Sequence, residues 1–137
     1  MKIAILSKSD RGGGGASRCA EDLVTQLRYH NHHVDHFARS SSFEETLPLY
    51  TQNEKIIYHR LRSLGLQEFI PFERKVIWQN DQKHHYDIFH FHDLSTAISP
   101  LTLKWLSDNH RVVIWTLHDC SPVTGGCINP LDCNKYQ

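Results

Sequence analysis

Apolar residues occur in short blocks, and their spacing changes along the chain. Ile3-Ala4-Ile5-Leu6 is a continuous run, short and rich in β-branched residues, as expected of a strand covered on both faces. Ala16, Cys19, Ala20, Leu23, Val24 and Leu27 then recur at three- and four-residue spacing. They predict one face of an amphipathic helix ending near Tyr29 to Asn31. Val34, Phe37 and Ala38 predict a second short strand. The expected geometry of this β-α-β unit is a parallel pair with a right-handed crossover.

From Arg39 to Pro48 the residues turn to Ser, Thr and Glu, and a loop is expected. Ile56, Ile57, Leu61, Leu64 and Leu66 carry a helical pattern stopped near Gly65. Phe69 to Phe72, with Pro71, reads as irregular, and Val76, Ile77 and Trp78 predict a helix running to about His84. A mobile flap over the sheet is the other reading of this middle part. Order returns at Asp87 to Asp93, where Phe89 and Phe91 share one strand face and Ile88, His90 and His92 the other. Ser99 is placed to cap a helix with Pro100 near its first position, followed by Leu101, Leu103, Trp105 and Leu106. Val112 to Leu117 is the clearest strand and reads as buried. The sum is an α/β chain built on a Rossmann-like open parallel sheet, in which ligands gather at the strands' carboxyl ends.

Composition narrows the function classes. With 137 residues the chain has about one domain's length, and its 39% hydrophobic and 22% charged residues suit a globular protein. Lys+Arg and Asp+Glu both number 15, so no net charge draws the chain to nucleic acid. No apolar run approaches the roughly 20 residues that span a bilayer. Met1-Lys2 leads straight into the first strand with no signal-peptide pattern, and a cytoplasmic location is the expectation.

Candidate chemistry begins at Ser9-Asp10-Arg11-Gly12-Gly13-Gly14-Gly15-Ala16-Ser17-Arg18, between the first strand and its helix. Unpaired N–H groups at a helix start make an anion site. Four consecutive glycines are costly to order, and a turn needs only one or two, so close approach of a phosphate-bearing ligand is expected; a wide turn with no ligand is the alternative. No Gly-Lys-Ser/Thr follows, which excludes a P-loop. The Gly12, Gly14, Ser17 spacing is also a poor dinucleotide fingerprint.

His118 and Asp119 follow the last strand, where an imidazole can donate to an oxyanion or move a proton near neutral pH; a strand-end histidine bonded to backbone is the alternative. For His90 and His92, one is expected to pack and the other to cap the strand end. His30, His32, His33 and His36, among 11 histidines, read as solvated. Cys120, Cys127 and Cys133 lack the paired spacing of a structural zinc site. Neither a metal nor a cofactor is expected.

Together the Ser9–Arg18 loop, Asp87-Ile88-Phe89-His90-Phe91-His92 and Trp115-Thr116-Leu117-His118-Asp119-Cys120-Ser121-Pro122-Val123-Thr124-Gly125-Gly126-Cys127 resemble a known family. They are similar to the N-terminal domain of the bacterial retaining GT-B glycosyltransferases of family 4, which build exopolysaccharide, colanic-acid-like and lipopolysaccharide chains. The resemblance implies transfer of a sugar from a nucleotide-sugar donor to a glycan or lipid-linked acceptor, with peripheral membrane association as an accompaniment. It implies that Gly14, Gly15 and Ala16 lie against the donor phosphates with Arg18 near by. His118 is implied beside the sugar and acceptor, and Asp119 as a residue holding the loop. The family pattern continues beyond Gln137. Residues 1–137 are therefore expected to be a first domain incomplete at its C-terminal end, without a donor-binding second domain and inactive alone. The alternative is a non-catalytic α/β module that holds a phosphate ligand on its glycine loop.

Overall fold

The computed structural model describes residues 1–66, 69–92, 98–124, 129 and 131. Its elements are β1 (Lys2–Ser9), α1 (Gly15–Tyr29), β2 (His33–Ser40), β3 (Thr46–Pro48), α2 (Gln52–Ser63), α3 (Glu73–His84), β4 (Ile88–His92), α4 (Pro100–Asp108), β5 (Val113–Thr116) and the single turn α5 (Ser121–Thr124). The strands form one sheet in the order β3-β2-β1-β4-β5, and every pairing is parallel. The chain builds outward from β1 through β2 and β3, then restarts on the other side of β1 with β4. That reversal between β1 and β4 opens a crevice at their carboxyl ends.

Alternation along the strands sends side chains to two cores. Ile3, Ile5 and Val34 pack with Ala20 and Val24 of α1, with Ile88 at the margin. On the opposite face Ala4, Leu6, Phe37, Phe89 and Phe91 pack with Tyr58 of α2, Ile77 of α3 and Leu106 of α4. Phe89 and Phe91 are fully buried, and burial of a phenylalanine contributes on the order of 2–3 kcal/mol. The two faces predicted for β4 are those observed.

The middle of the chain is anchored rather than a loose flap. Glu73, at the start of α3, is fully buried and accepts the Ser99 N–H at 2.9 Å and the Thr102 hydroxyl at 2.5 Å. It thereby ties α3 to the first turn of α4. Burial, the largest influence, pushes its carboxyl above the usual range, although these donors oppose it. At the far end of α3 the Asp81 carboxylate pairs with the Arg111 guanidinium and accepts the Tyr86 N–H at 3.1 Å.

Three expectations change. The stretch expected as a loop contains β3, held by the pairing of Phe37 with Leu47. In α2 the hydrophobic pattern does not mark the core, because only Tyr58 is buried while Ile56 and Ile57 are exposed. Among the described residues β5 stands at the sheet edge, and Ile114 and Trp115 are both exposed where a buried strand is expected. Around α4 the sequence reading holds: Ser99 Oγ accepts the Leu101 N–H at 3.2 Å and Pro100 opens the helix. Among the described residues no helix is long and apolar enough to cross a membrane.

Candidate functional site

The glycine segment lies at the carboxyl end of β1, beside the reversal point. Gly14 is the N-cap of α1, with φ −75° and ψ −167°, and no side chain caps the first turn, which carries no acidic residue. The helical ladder begins with the Arg18 N–H donating to the Gly14 carbonyl at 3.1 Å. The three amides before it are the orphan donors of a helix start, at the positive end of the helix dipole.

The four glycines have different reasons to be glycine. A Cβ on Gly13 would meet Ser17 Oγ at 2.5 Å and Ser9 Cβ at 2.8 Å, so packing forbids a side chain there. Around Gly14 and Gly15 a Cβ would meet nothing within 4 Å, and neither residue has a positive φ. Neither local packing nor backbone conformation demands glycine at these two positions.

Asp10 fixes the loop. Its carboxylate is buried and accepts N–H groups from Gly12 at 3.1 Å, Phe43 at 3.2 Å and Ser42. The Ser41 and Ser42 hydroxyls donate to it as well. Burial alone would raise its pKa, but these donors outweigh burial and hold it below the usual carboxylate range. Asp10 therefore clamps the glycine segment to the β2–β3 connection. Nothing in the local sequence pattern marks this role, since its main partners lie more than thirty residues away.

A rank of histidines and hydroxyls runs across the α1 face of the sheet. His36, Ile5, His90 and Ile114 share one row by register, and His92 pairs with Thr116 in the next. His36 is buried rather than solvated as expected, because β2 places it beside Ile5 under α1, and its Nε2 lies 2.8 Å from Ser7 Oγ. Its Nδ1 is 3.1 Å from Glu21 Oε2, at an angle that makes no hydrogen bond. Burial lowers the His36 pKa against the opposing pull of Glu21. His90 Nε2 meets Thr116 Oγ1 at 2.8 Å, and His92 Nδ1 meets His118 Nε2 at 2.9 Å. Burial first, then the charges of His90, His118 and His36, push the His92 pKa down to about 4. A neutral, buried His92 thus supports an exposed His118, a positioning arrangement open to solvent on one side.

Residues 13–133 match the family described as Glycosyltransferase Family 4. The chain belongs to that family. Its parallel α/β sheet is that of a Rossmann-like domain of the GT-B type. No curated protein and no solved structure matches the chain.

Within this family 4 chain the expected site residues fall in two groups on one edge of the sheet. Gly14, Gly15, Ala16 and Arg18 stand at the start of α1, and Arg18 is exposed with no ion pair among the described residues. His118 and Asp119 follow β5, on the other side of β4. The Asp119 carboxylate accepts the Ser121 N–H at 2.8 Å and its hydroxyl at 2.5 Å, so it holds its own turn into α5. Cys19 and Cys120 are free and exposed, while Cys127, Cys133 and the Gly125-Gly126 turn lie outside the described residues.

Two clefts border the site. One of about 460 Å³ between α1 and the β2–β3 connection is lined by Glu21, Glu44 and Glu45 as well as Arg28 and His36, a poor setting for a diphosphate. The other, about 330 Å³, is lined by Lys8, Arg39, Ser40, Lys55 and His59. No carboxylate lines it, and Arg39 is held over the Tyr58 ring at 4.1 Å.

Proposed function

We propose that this family 4 chain forms the acceptor-side domain of a retaining glycosyltransferase. The enzyme moves a sugar from a nucleotide sugar to a glycan or lipid-linked acceptor, in the synthesis of an exopolysaccharide, colanic-acid-like or lipopolysaccharide chain. The observation that carries the reading is the space at Gly14 and Gly15, beside the uncapped start of α1. Two costly glycines with no packing or conformational need leave room for a phosphate to approach the backbone. On this reading the Gly15 and Ala16 amides and the Arg18 guanidinium stabilise the leaving diphosphate, an electrostatic effect aimed at developing charge. His118, held by His92, orients the acceptor hydroxyl, and Asp119 keeps His118's loop in place. The cleft lined by the cations Lys8, Arg39 and Lys55 supports an acceptor that itself carries phosphate, as lipid-linked glycans do.

Amide spectra of the chain titrated with UDP and with GDP test the donor site. The Gly14, Gly15 and Ala16 signals are expected to shift, and Gly14→Val to abolish the shift. Unmoved signals in the native chain would overturn the assignment. Transfer of labelled sugar to a lipid-linked acceptor, measured with and without a supplied donor-binding domain, tests the chemistry: transfer is expected only with that domain, and binding without transfer even then leaves a phosphate-binding module instead.

A further inference from the structure

At the sheet edge opposite the glycine segment, β2 opens with His33 and Asp35, two residues apart and so on one face of the strand. α3 ends at His84, whose ring centroid lies 5.2 Å from that of His33. One ligand atom from each of His33, Asp35 and His84 lies within 4.8 Å of the other two. We propose that these three residues bind a divalent transition-metal ion of the zinc class, which cross-links β2 to α3.

The donor set decides the class of ion. Two imidazoles and one carboxylate suit zinc and its first-row neighbours, whereas calcium and magnesium seek shells of oxygen. Zinc–nitrogen bonds of about 2.0–2.1 Å set tetrahedral ligand atoms about 3.3 Å apart. His33 Nε2 and Asp35 Oδ2 already stand 3.2 Å apart. The remaining separations, at most 4.8 Å, exceed that spacing by about 1.5 Å or less, so the proposed ion has to draw the three ligands together by that amount.

The surroundings fix the ligands independently of any ion. Tyr86, itself buried, donates its hydroxyl to Asp35 Oδ2, the kind of outer partner that orients a ligating carboxylate. The end of α3 is pinned by the His85 N–H donating to the Asp81 carbonyl at 2.7 Å and by the Tyr86 N–H on the Asp81 side chain. The His84 ring packs on those of His33 and Tyr86, at centroid distances of 5.2 and 5.8 Å, which keeps all three ligands in one cluster. Three protein ligands leave a fourth position on the exposed His33 side for water. Because its ligands come from β2 and α3, which only folding brings together, the ion acts as a staple whose binding is linked to folding.

Cobalt(II) titration of the full chain is expected to give the visible bands of a tetrahedral nitrogen–oxygen site at one equivalent, without thiolate charge-transfer absorption. Zinc should displace the cobalt and raise Tm in step with its concentration. His84→Ala and Asp35→Asn are expected to weaken binding at least 10-fold, as loss of a ligand does, whereas His85→Ala should not alter it. Zinc added to the native chain should also move the imidazole resonances of His33 and His84, a readout that needs no variant. Unmoved resonances, thiolate bands, or undiminished binding in a folded His84→Ala chain would overturn the proposal.

Discussion

Nδ1 of His92 lies 2.9 Å from Nε2 of His118, so a buried imidazole at the end of β4 holds an exposed one beyond β5. Burial, with the charges of His90, His118 and His36, sets the folded pKa of His92 at about 4, below its ordinary 6.5. As pH falls, the unfolded chain takes up this proton first. The stability tied to His92 is therefore complete above about pH 6.5 and is lost between there and about pH 4. His36 and His90, whose pKa values burial also lowers, act in the same direction. Urea unfolding at pH 7 and pH 5 should show a smaller loss of stability for His92→Gln than for the native chain. Equal losses would remove His92 from this account.

Gly13 and Gly14 are adjacent but should respond oppositely to alanine. Gly13→Ala drives a Cβ to within 2.8 Å of Ser9 Cβ and closer still to Ser17, an overpacking expected to cost about 1–3 kcal/mol. Gly14→Ala meets open space and should change stability by no more than about 0.5 kcal/mol. Its effect should fall on nucleoside diphosphate binding. Denaturation and binding measured on both variants separate the packing glycine from the ligand-facing one.

Asp10→Asn keeps the shape of the clamp but removes its charge and turns one acceptor into a donor facing N–H groups. A loss of about 2 kcal/mol is expected, in the range of hydrogen bonds to charged groups. Because the folded pKa of Asp10 is depressed, the native advantage persists above the ordinary carboxylate pKa and disappears as pH falls through the folded one. Hydrogen exchange should quicken at the Gly12, Ser42 and Phe43 amides of the variant. Unchanged exchange there would mean that the loop is held by something else.

Glu73 invites a contrast of two substitutions. Burial raises its folded pKa, so its favourable contribution is full below the ordinary glutamate pKa and fades as pH rises through the folded value. Glu73→Gln retains an oxygen for the Ser99 N–H and the Thr102 hydroxyl, and should be tolerated at pH 7. Glu73→Ala strands both buried donors and should cost about 2–4 kcal/mol. Equal stability of the two variants at pH 7 would show that these bonds contribute little.

Local spacing carries much of this fold. The alternation of Phe89 and Phe91 against Ile88, His90 and His92, the Ser99-Pro100 helix start and the Ala20 and Val24 stripe of α1 are legible in the sequence, whereas Cys19, expected on that stripe, is exposed and Ser17 is buried instead. The apolar run from Val112 to Leu117 is less telling: among the described residues β5 stands at the sheet edge, and its Ile114 and Trp115 are exposed. In α2 the exposed Ile56 and Ile57 mimic a core stripe while Tyr58 does the packing. The glycine segment stands out as a candidate phosphate site from its composition alone. Its clamp does not, since the Asp10 carboxylate becomes meaningful only when folding brings Ser41 to Phe43 against it. Glu73 is hidden for the same reason, its donors lying on another helix.

The sheet order also has a temporal side. β1 is made before both of its neighbours and lies at the centre, yet the second of them, β4, begins only at Ile88. On a ribosome adding about 5–20 residues per second, one edge of β1 waits on the order of 10 s for its partner. During that interval Ile3 to Leu6 can pair only with β2, and α1 screens one face of the nascent ribbon. Changes that slow the emergence of β4 without altering the protein sequence, such as slowly translated codons before Ile88, should therefore reduce the yield of native protein in the cell while leaving its equilibrium stability unchanged.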